Sequence, residues 1–236
     1  MSREQQYTAI VIKKQALGES DEIITFYTHE LGKVRAVAKS SKLPKSKLQS
    51  QLQPMFVCQL TLAGSSSLPT IIRVQADKSF PNIQNDSDRS PFWYVVAELV
   101  LKATPDEEQN EMLFSALEQF LEFLNTPVIS PDDALRGLLK FKLMFTDALG
   151  FNVVNSDADL AKPIFFSNSF GGFVQDEKPF DASHIRPDTL TCFNTLRNMT
   201  YSEITGSNLG VDELNGLLTQ FISYQLEREI KSEKFV

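Results

Sequence analysis

From Leu31 to Ala76 the chain contains no aspartate and no glutamate, although its formal net charge is −7. The same interval carries Lys33, Arg35, Lys39, Lys42, Lys45, Lys47 and Arg73. Other absences narrow the reading further. No run of 18 or more apolar residues occurs, which argues against a transmembrane helix. The N-terminal MSREQQYTAIVIKK lacks a basic region followed by an apolar stretch and a small-residue cleavage site. A cytoplasmic protein is the simplest expectation. There are two cysteines, Cys58 and Cys192, each alone in an apolar pattern and neither in a CxxC. They read as two buried thiols of a reducing compartment rather than as a disulfide or a zinc motif. The two histidines, His29 at a strand end and His184 in a loop, lie in no catalytic pattern. Neither GxxxxGK[ST] nor a strand followed by GxGxxG occurs. Nothing resembles an active site, and the expectation is a protein that is not an enzyme. The Asp106-Glu107-Glu108 run reads as a solvated loop between helices.

The charge that is present is unevenly placed. Residues 1–80 carry a net +5 and residues 81–236 a net −12, which suggests that the two halves do different work. Five short β-rich segments occupy the first part: Tyr7–Lys14, Glu22–His29, Lys33–Lys39, Met55–Ala63 and Thr70–Ala76. Five strands in so short a span predict an OB-type barrel, a frequent binder of oligonucleotides. From Pro81 the period becomes helical, with helices expected over Pro91–Ala103, Asn110–Leu124, Pro131–Leu149, Pro187–Met199 and Val211–Ile230. Ser90 and Ser130 are expected to cap their helices. Residues 151–180 break the pattern as a hairpin or irregular insert. The fold class is therefore α+β, with a barrel domain over 1–80 and a helical domain over 81–236.

Strand alternation separates two basic devices. Lys33, Arg35, Val37 and Lys39 share one face of the third strand, with Val34, Ala36 and Ala38 on the other. Strand rise spaces alternate residues roughly 6–7 Å apart, close to the phosphate spacing of an extended strand. Lys42, Lys45 and Lys47 follow in a Ser- and Pro-containing loop able to close over a bound backbone. Such cations bind phosphates through counterion release without reading bases. Phe26, Tyr27 and Phe56 read as barrel fill, with base stacking as the alternative.

These residues resemble the RecO family, bacterial recombination mediators of DNA repair. The resemblance rests on AIVIKKQALGESDEIITFYTHELGKVRAVAKSSKLPKSKLQSQLQPMF (9–56), on LRGLLKFKLMFTDALGF (135–151), and on LEREIKSEKF (226–235), which is similar to the family's closing helix. It implies an N-terminal OB domain that binds single- and double-stranded DNA and anneals complementary strands, and a helical C-terminal domain. It also implies work with RecR, and help in loading RecA onto DNA coated by single-strand-binding protein, whose acidic C-terminal tail docks on the helical domain. The protein would then be nucleoid-associated. For that tail, Arg136 and Lys140 at i, i+4 on the central helix form a candidate cationic pair beside an apolar groove. The competing reading is that Asp132 and Asp133 neutralise Arg136. Many members carry a four-cysteine zinc site just after L-G-(F/Y). Here NVVNSDADLAKPIFFSNSFGGFVQDE has neither cysteine nor histidine, so no zinc or other cofactor is expected. Phe165, Phe166, Phe170 and Phe173 are the candidates to hold the insert instead. A protein-interaction adaptor whose basic face meets an acidic partner is the alternative to DNA binding.

Overall fold

The computed structural model describes residues 5–64, 68–154, 159–176, 178–207 and 209–236. Residues 65–67 of the expected GSSSLP turn, and 155–158 and 177 of the insert, lie outside these.

Five strands, β1 (Gln5–Leu17), β2 (Asp21–Thr28), β3 (Gly32–Ala38), β4 (Val57–Ala63) and β5 (Thr70–Lys78), close into a barrel in the order β1-β2-β3-β5-β4. The β3–β5 contact is parallel and the other pairings antiparallel, which is OB-type connectivity. Between β3 and β4, the short α1 (Leu48–Gln51) precedes Leu52, which is buried in the barrel core. The core is otherwise built from alternate positions such as Ala9, Val11, Ile24, Phe26, Val34, Ala36 and Leu60.

The apolar run AIVI of β1 does not alternate because both faces of this strand are covered. Val11 faces the barrel core, whereas Ile10 and Ile12 join a second core shared with the helices. Strand alternation puts Ile10 and Ile12 on that outer side, and the register with β2 then shifts between Val11 and Lys13. Tyr27 of β2, in register with Ile10, belongs to the same core.

The helical domain contains α2 (Pro81–Gln84), α3 (Ser90–Ala103), α4 (Glu111–Leu124), α5 (Pro131–Ala148), α6 (Pro187–Asn198), α7 (Tyr201–Ile204) and α8 (Asp212–Leu226). Ser130 caps α5 by accepting from the Asp133 amide at 3.1 Å. Ser90 is not a cap: it lies inside α3, and its hydroxyl donates to Asp86 O at 2.7 Å. Helices α4 and α5 approach closely at Gly137, where a Cβ would fall 2.0 Å from the Phe123 ring.

The last helix is shorter than its periodicity predicts. It ends at Leu226, Glu227 turns left-handed at φ 51°, and residues Lys231–Phe235 form a 3-10 turn instead of a closing helix. Tertiary contacts decide this. The Glu98 carboxylate of α3 accepts from the backbone amides of Lys231 (3.1 Å) and Ser232 (2.7 Å) and from the Ser232 hydroxyl, and pairs with Lys102 at 2.6 Å. Continuous helix through 230 would withdraw these donors.

Burial alone raises the Glu98 pKa, but Lys102, Ser232 and Lys231 together outweigh it and bring it down to about 2. A depressed carboxylate stabilises the fold fully above its ordinary value of 4.5, and loses that contribution as pH falls toward about 2. Acid unfolding monitored by circular dichroism should therefore show a component in this window that Glu98→Gln removes.

The insert is a three-stranded sheet, β7 (Gly172–Val174), β6 (Ile164–Ser167) and β8 (Ser183–Ile185) in that order, rather than a hairpin alone. Phe166 and Phe173 are buried and meet edge to face at 5.1 Å; Phe166 reaches Phe221 of α8 and Phe173 reaches Phe193 of α6. Phe170 is exposed and Phe165 half-buried, so two of the four expected phenylalanines do the packing. The turn is tied by Asp181, which accepts from the Ser167 and Ser169 hydroxyls (each 2.7 Å) and the Ser169 amide (2.9 Å). Those hydrogen bonds hold its carboxyl down to about 2.

Candidate nucleic-acid interface

The third strand alternates as its sequence predicts, but its outer cations are not equivalent. Lys33, with its side chain 12 % exposed, donates from Nζ to Leu101 O (3.3 Å) and Thr104 O and pairs with Asp106 at 3.4 Å. Arg35, 52 % exposed, pairs with the same carboxylate at 3.3 Å. The connector between α3 and α4 lies along β3: the Glu107 amide donates to Lys33 O at 2.9 Å, and Gln109 Nε2 donates to His29 O at 3.1 Å. Gly32 makes the approach possible, since a Cβ there would fall 1.9 Å from Glu108 O and its φ is +67°. The acidic run is an exposed loop between helices, as expected, but its backbone is docked along β3. It withdraws Lys33 from solvent and half-neutralises Arg35.

The loop cations differ. Lys39, Lys45 and Lys47 are exposed, and among the described residues no carboxylate pairs with them. Lys42 is half-buried and donates from Nζ to Gly18 O at 2.8 Å, and it and Lys39 lie near enough to Asp21 to help hold that carboxyl down without an ion pair. The loop is anchored at the β1–β2 turn by Lys42 N–H to Ser20 O (3.0 Å), Ser40 N–H to Asp21 Oδ1 (2.7 Å) and the Ser41 hydroxyl to Glu22 (2.7 Å). Asp21 is held below its usual range mainly by the Ser40 amide, then by the Ser20 hydroxyl. On the other flank Val37 N–H donates to Pro69 O at 2.8 Å, at the end of the β4–β5 connection. The lysines therefore sit at the barrel mouth between the two turns that OB folds use for oligonucleotides.

Uncharged surface adjoins them. Ile23 and Val37, in register on β2 and β3, are half-buried. Ile72 is exposed at a bulge of β5, next to exposed Arg73. Arg73 and Lys13, both exposed on the barrel, extend the cationic surface beyond the loop. The sequence signal for Lys13 is weak, because it lies outside the acid-free interval.

The three aromatics do not line this surface. Phe26 fills the barrel core, Tyr27 is buried between barrel and helices with its pKa raised mainly by that burial, and Phe56 packs partly buried against the barrel core. Both histidines face a ring: His29, half-buried, meets Phe114 at 5.3 Å, and His184, exposed on β8 rather than in a loop, meets Phe165 at 5.5 Å. Both cysteines are free and buried, and burial pushes Cys58 up to about 12 and Cys192 up to about 11. Such thiols are poor nucleophiles at neutral pH.

On the helical domain the expected Arg136–Lys140 pair separates. Arg136 is buried, pairs with Asp133 at 2.9 Å and donates from Nε to Leu209 O at 3.0 Å. It is a structural ion pair and is not available to a ligand; its neighbour is Asp133, with Asp132 exposed. Lys140 points elsewhere. It lines a groove of about 630 Å³ with Phe123, Met144, Met199 and Tyr201, and its Nζ donates to Arg197 O at 2.8 Å. Burial lowers its pKa, with Asp147 opposing. Sequence reasoning missed Lys142, which is 0 % exposed and bound by Glu233 (2.6 Å), Asn215 (2.8 Å) and Thr219 (3.0 Å).

Among the described residues no group of three or more His, Cys, Asp or Glu is placed to hold a metal ion, and no helix is long and apolar enough to cross a membrane.

An OB-type barrel with a cationic mouth, joined through a shared core to a helical region, defines the class as an OB-fold protein with a helical C-terminal part. Residues 1–80 match the family model described as recombination protein O N terminal, and residues 84–234 match recombination protein O C terminal. The chain belongs to the RecO family. Similar curated relatives include a DNA repair protein RecO of Pelotomaculum thermopropionicum, 29% identical over 97% of this chain and 91% of the relative. Another, from a Thermoanaerobacter species, is 26% identical over 97% and 95% respectively. A third, from Caldanaerobacter subterraneus, is 25% identical over 96% and 95%.

Proposed function

We propose that this member of a DNA repair family is a non-catalytic mediator that binds single- and double-stranded DNA at the barrel mouth and anneals complementary strands. The observation that carries the reading is the group Lys39, Lys42, Lys45 and Lys47, uncompensated by any carboxylate ion pair among the described residues and placed between the β1–β2 turn and the β4–β5 connection. Arg35 and Lys33 contribute less, because Asp106 already occupies them. Inert thiols and ring-packed histidines support a role without bond chemistry.

The helical domain is the partner surface in this reading. The Lys140 groove combines one cation with Phe123, Met144 and Met199, chemistry suited to an acidic, Phe-ended peptide such as the tail of single-strand-binding protein. With RecR, the protein would help RecA load on coated strands, in the cytoplasm and on the nucleoid. The reading includes no cofactor; ring packing of Phe166 on Phe173 and the Asp181 hydrogen bonds support the insert in it.

Fluorescence anisotropy with labelled oligo-dT, beside an acidic peptide of equal charge, tests this. Binding to oligo-dT should fall steeply with salt. Peptide binding with negligible oligo-dT binding would overturn the reading in favour of an adaptor. Annealing of complementary strands coated with single-strand-binding protein is the matching functional assay.

A further inference from the structure

The cleft where the barrel meets α3 lies outside the lysine-loop site. A cavity of about 550 Å³ lies between the bulged part of β1 and α3, with Ile12 and Leu101 among its apolar lining and Lys13, Lys14 and Lys102 among its polar lining. A smaller cavity of about 290 Å³ adjoins it, sharing Pro54 and Tyr94. Tyr94 is 56 % exposed, although its neighbours Trp93 and Val95 on α3 are fully buried. Exposed large aromatics at a cationic cleft are the elements of a base-stacking platform.

Charge favours a polyanion here. Lys13 is exposed and has no carboxylate partner among the described residues. Lys14 reaches Glu22 only at 3.8 Å. The acid lining the cleft is Glu98, and its oxygens are engaged by Lys102, Lys231 and Ser232. Lys13 and Arg35 flank the buried Thr25 in register across β1, β2 and β3, which puts both cations on one outer face between the cleft and the lysine loop. Two strand spacings, about 10 Å, separate Lys13 from Arg35, and four residues of β-rise, about 13 Å, separate Arg35 from Lys39. That run fits within the roughly 4–16 nucleotides an OB domain covers.

We propose that single-stranded DNA leaving the lysine loop crosses Arg35 and Lys13 into this cleft, where a base stacks on Tyr94. The proposal rests on the DNA-binding reading and adds a second subsite, built from both domains, that extends the barrel surface. Stacking is indifferent to base identity, so this subsite holds strands without reading them.

The test compares Tyr94→Ala, Tyr94→Phe and a Lys45→Ala/Lys47→Ala variant by oligo-dT anisotropy and by urea unfolding. Tyr94→Ala should weaken oligo-dT binding about tenfold, equivalent to about 1.4 kcal/mol, with an unchanged unfolding midpoint and salt slope. Tyr94→Phe, which keeps the ring, should stay within about twofold of the parent. Parental affinity in Tyr94→Ala together with weakened binding in the lysine variant overturns the subsite and leaves the DNA reading standing. Failure of the parent itself to bind oligo-dT overturns both. Loss of acidic-peptide binding in Tyr94→Ala, with oligo-dT binding intact, reassigns the cleft to a protein partner and overturns the proposal.

Discussion

Replacing Lys39, Lys45 and Lys47 together by Ala should weaken binding of oligo-dT about a hundredfold at 0.1 M salt. The estimate follows from counterion release: each phosphate neutralised on a single strand adds roughly 0.7 to the slope of log K against log salt, or about fivefold at that concentration. Three contacts therefore remove about 2 from the slope as well. The slope is the sharper readout, because lost folding would lower the active fraction without changing it. The three lysines are exposed and bond to no carboxylate among the described residues, so the fold should be unaffected. Lys42 is left in place because its Nζ holds Gly18 O and its replacement would also loosen the β1–β2 turn. Asp106→Asn should act in the opposite direction, steepening the slope by up to about 0.7 as Arg35 is released. Lys33 stays bound to the Leu101 and Thr104 carbonyls in that variant. Unchanged affinity and slope in the triple variant would remove the lysine loop from the interface.

Lys142→Ala should destabilise the protein by about 3–5 kcal/mol, read as a lowered urea midpoint. Lys142 is fully buried on α5, and its ammonium is the counter-charge of Glu233 in the C-terminal 3-10 turn. Burial lowers its pKa and Glu233 opposes that shift. Removing the ammonium leaves a carboxylate whose oxygens are buried and have no other partner among the described residues. The larger part of the cost is this stranded charge, not the loss of attraction. Lys142→Met combined with Glu233→Leu should therefore recover part of the lost stability, because the stranded carboxylate is gone, although Asn215 Oδ1 and Thr219 Oγ1 still lose their donor. If the double variant were as unstable as Lys142→Ala, cavity formation rather than charge would be the cause. The pair also explains why the chain end is fixed. Glu233 on Lys142 and Glu98 on the Lys231 and Ser232 amides together pin the last turn across α3 and α5.

Five barrel strands, the long helices, the Ser130 cap and the alternation of Lys33, Arg35 and Lys39 against Val34, Ala36 and Ala38 were legible in the sequence. Each is a local property: period 2 or 3.6, a capping oxygen, a break at Pro or Gly. The acid-free interval was legible for the same reason, since composition needs no contacts.

What tertiary structure alone decided is which of those charges remain free. Asp106 lies about 70 residues beyond Lys33 and Arg35 in sequence, yet it pairs with both because the α3–α4 connector docks along β3 at Gly32. Arg136 and Lys140 share a helix and an i, i+4 spacing, but Asp133 and Leu209 bury one while the other lines a groove. Helix α8 stops short of its periodicity because Glu98 claims the backbone that follows. Periodicity is written in neighbouring residues. Charge compensation and burial depend on surfaces brought together by folding, so a barrel rich in cations can be read from composition, whereas the absence of ion pairs at Lys39, Lys42, Lys45 and Lys47 among the described residues is set by how the chain packs.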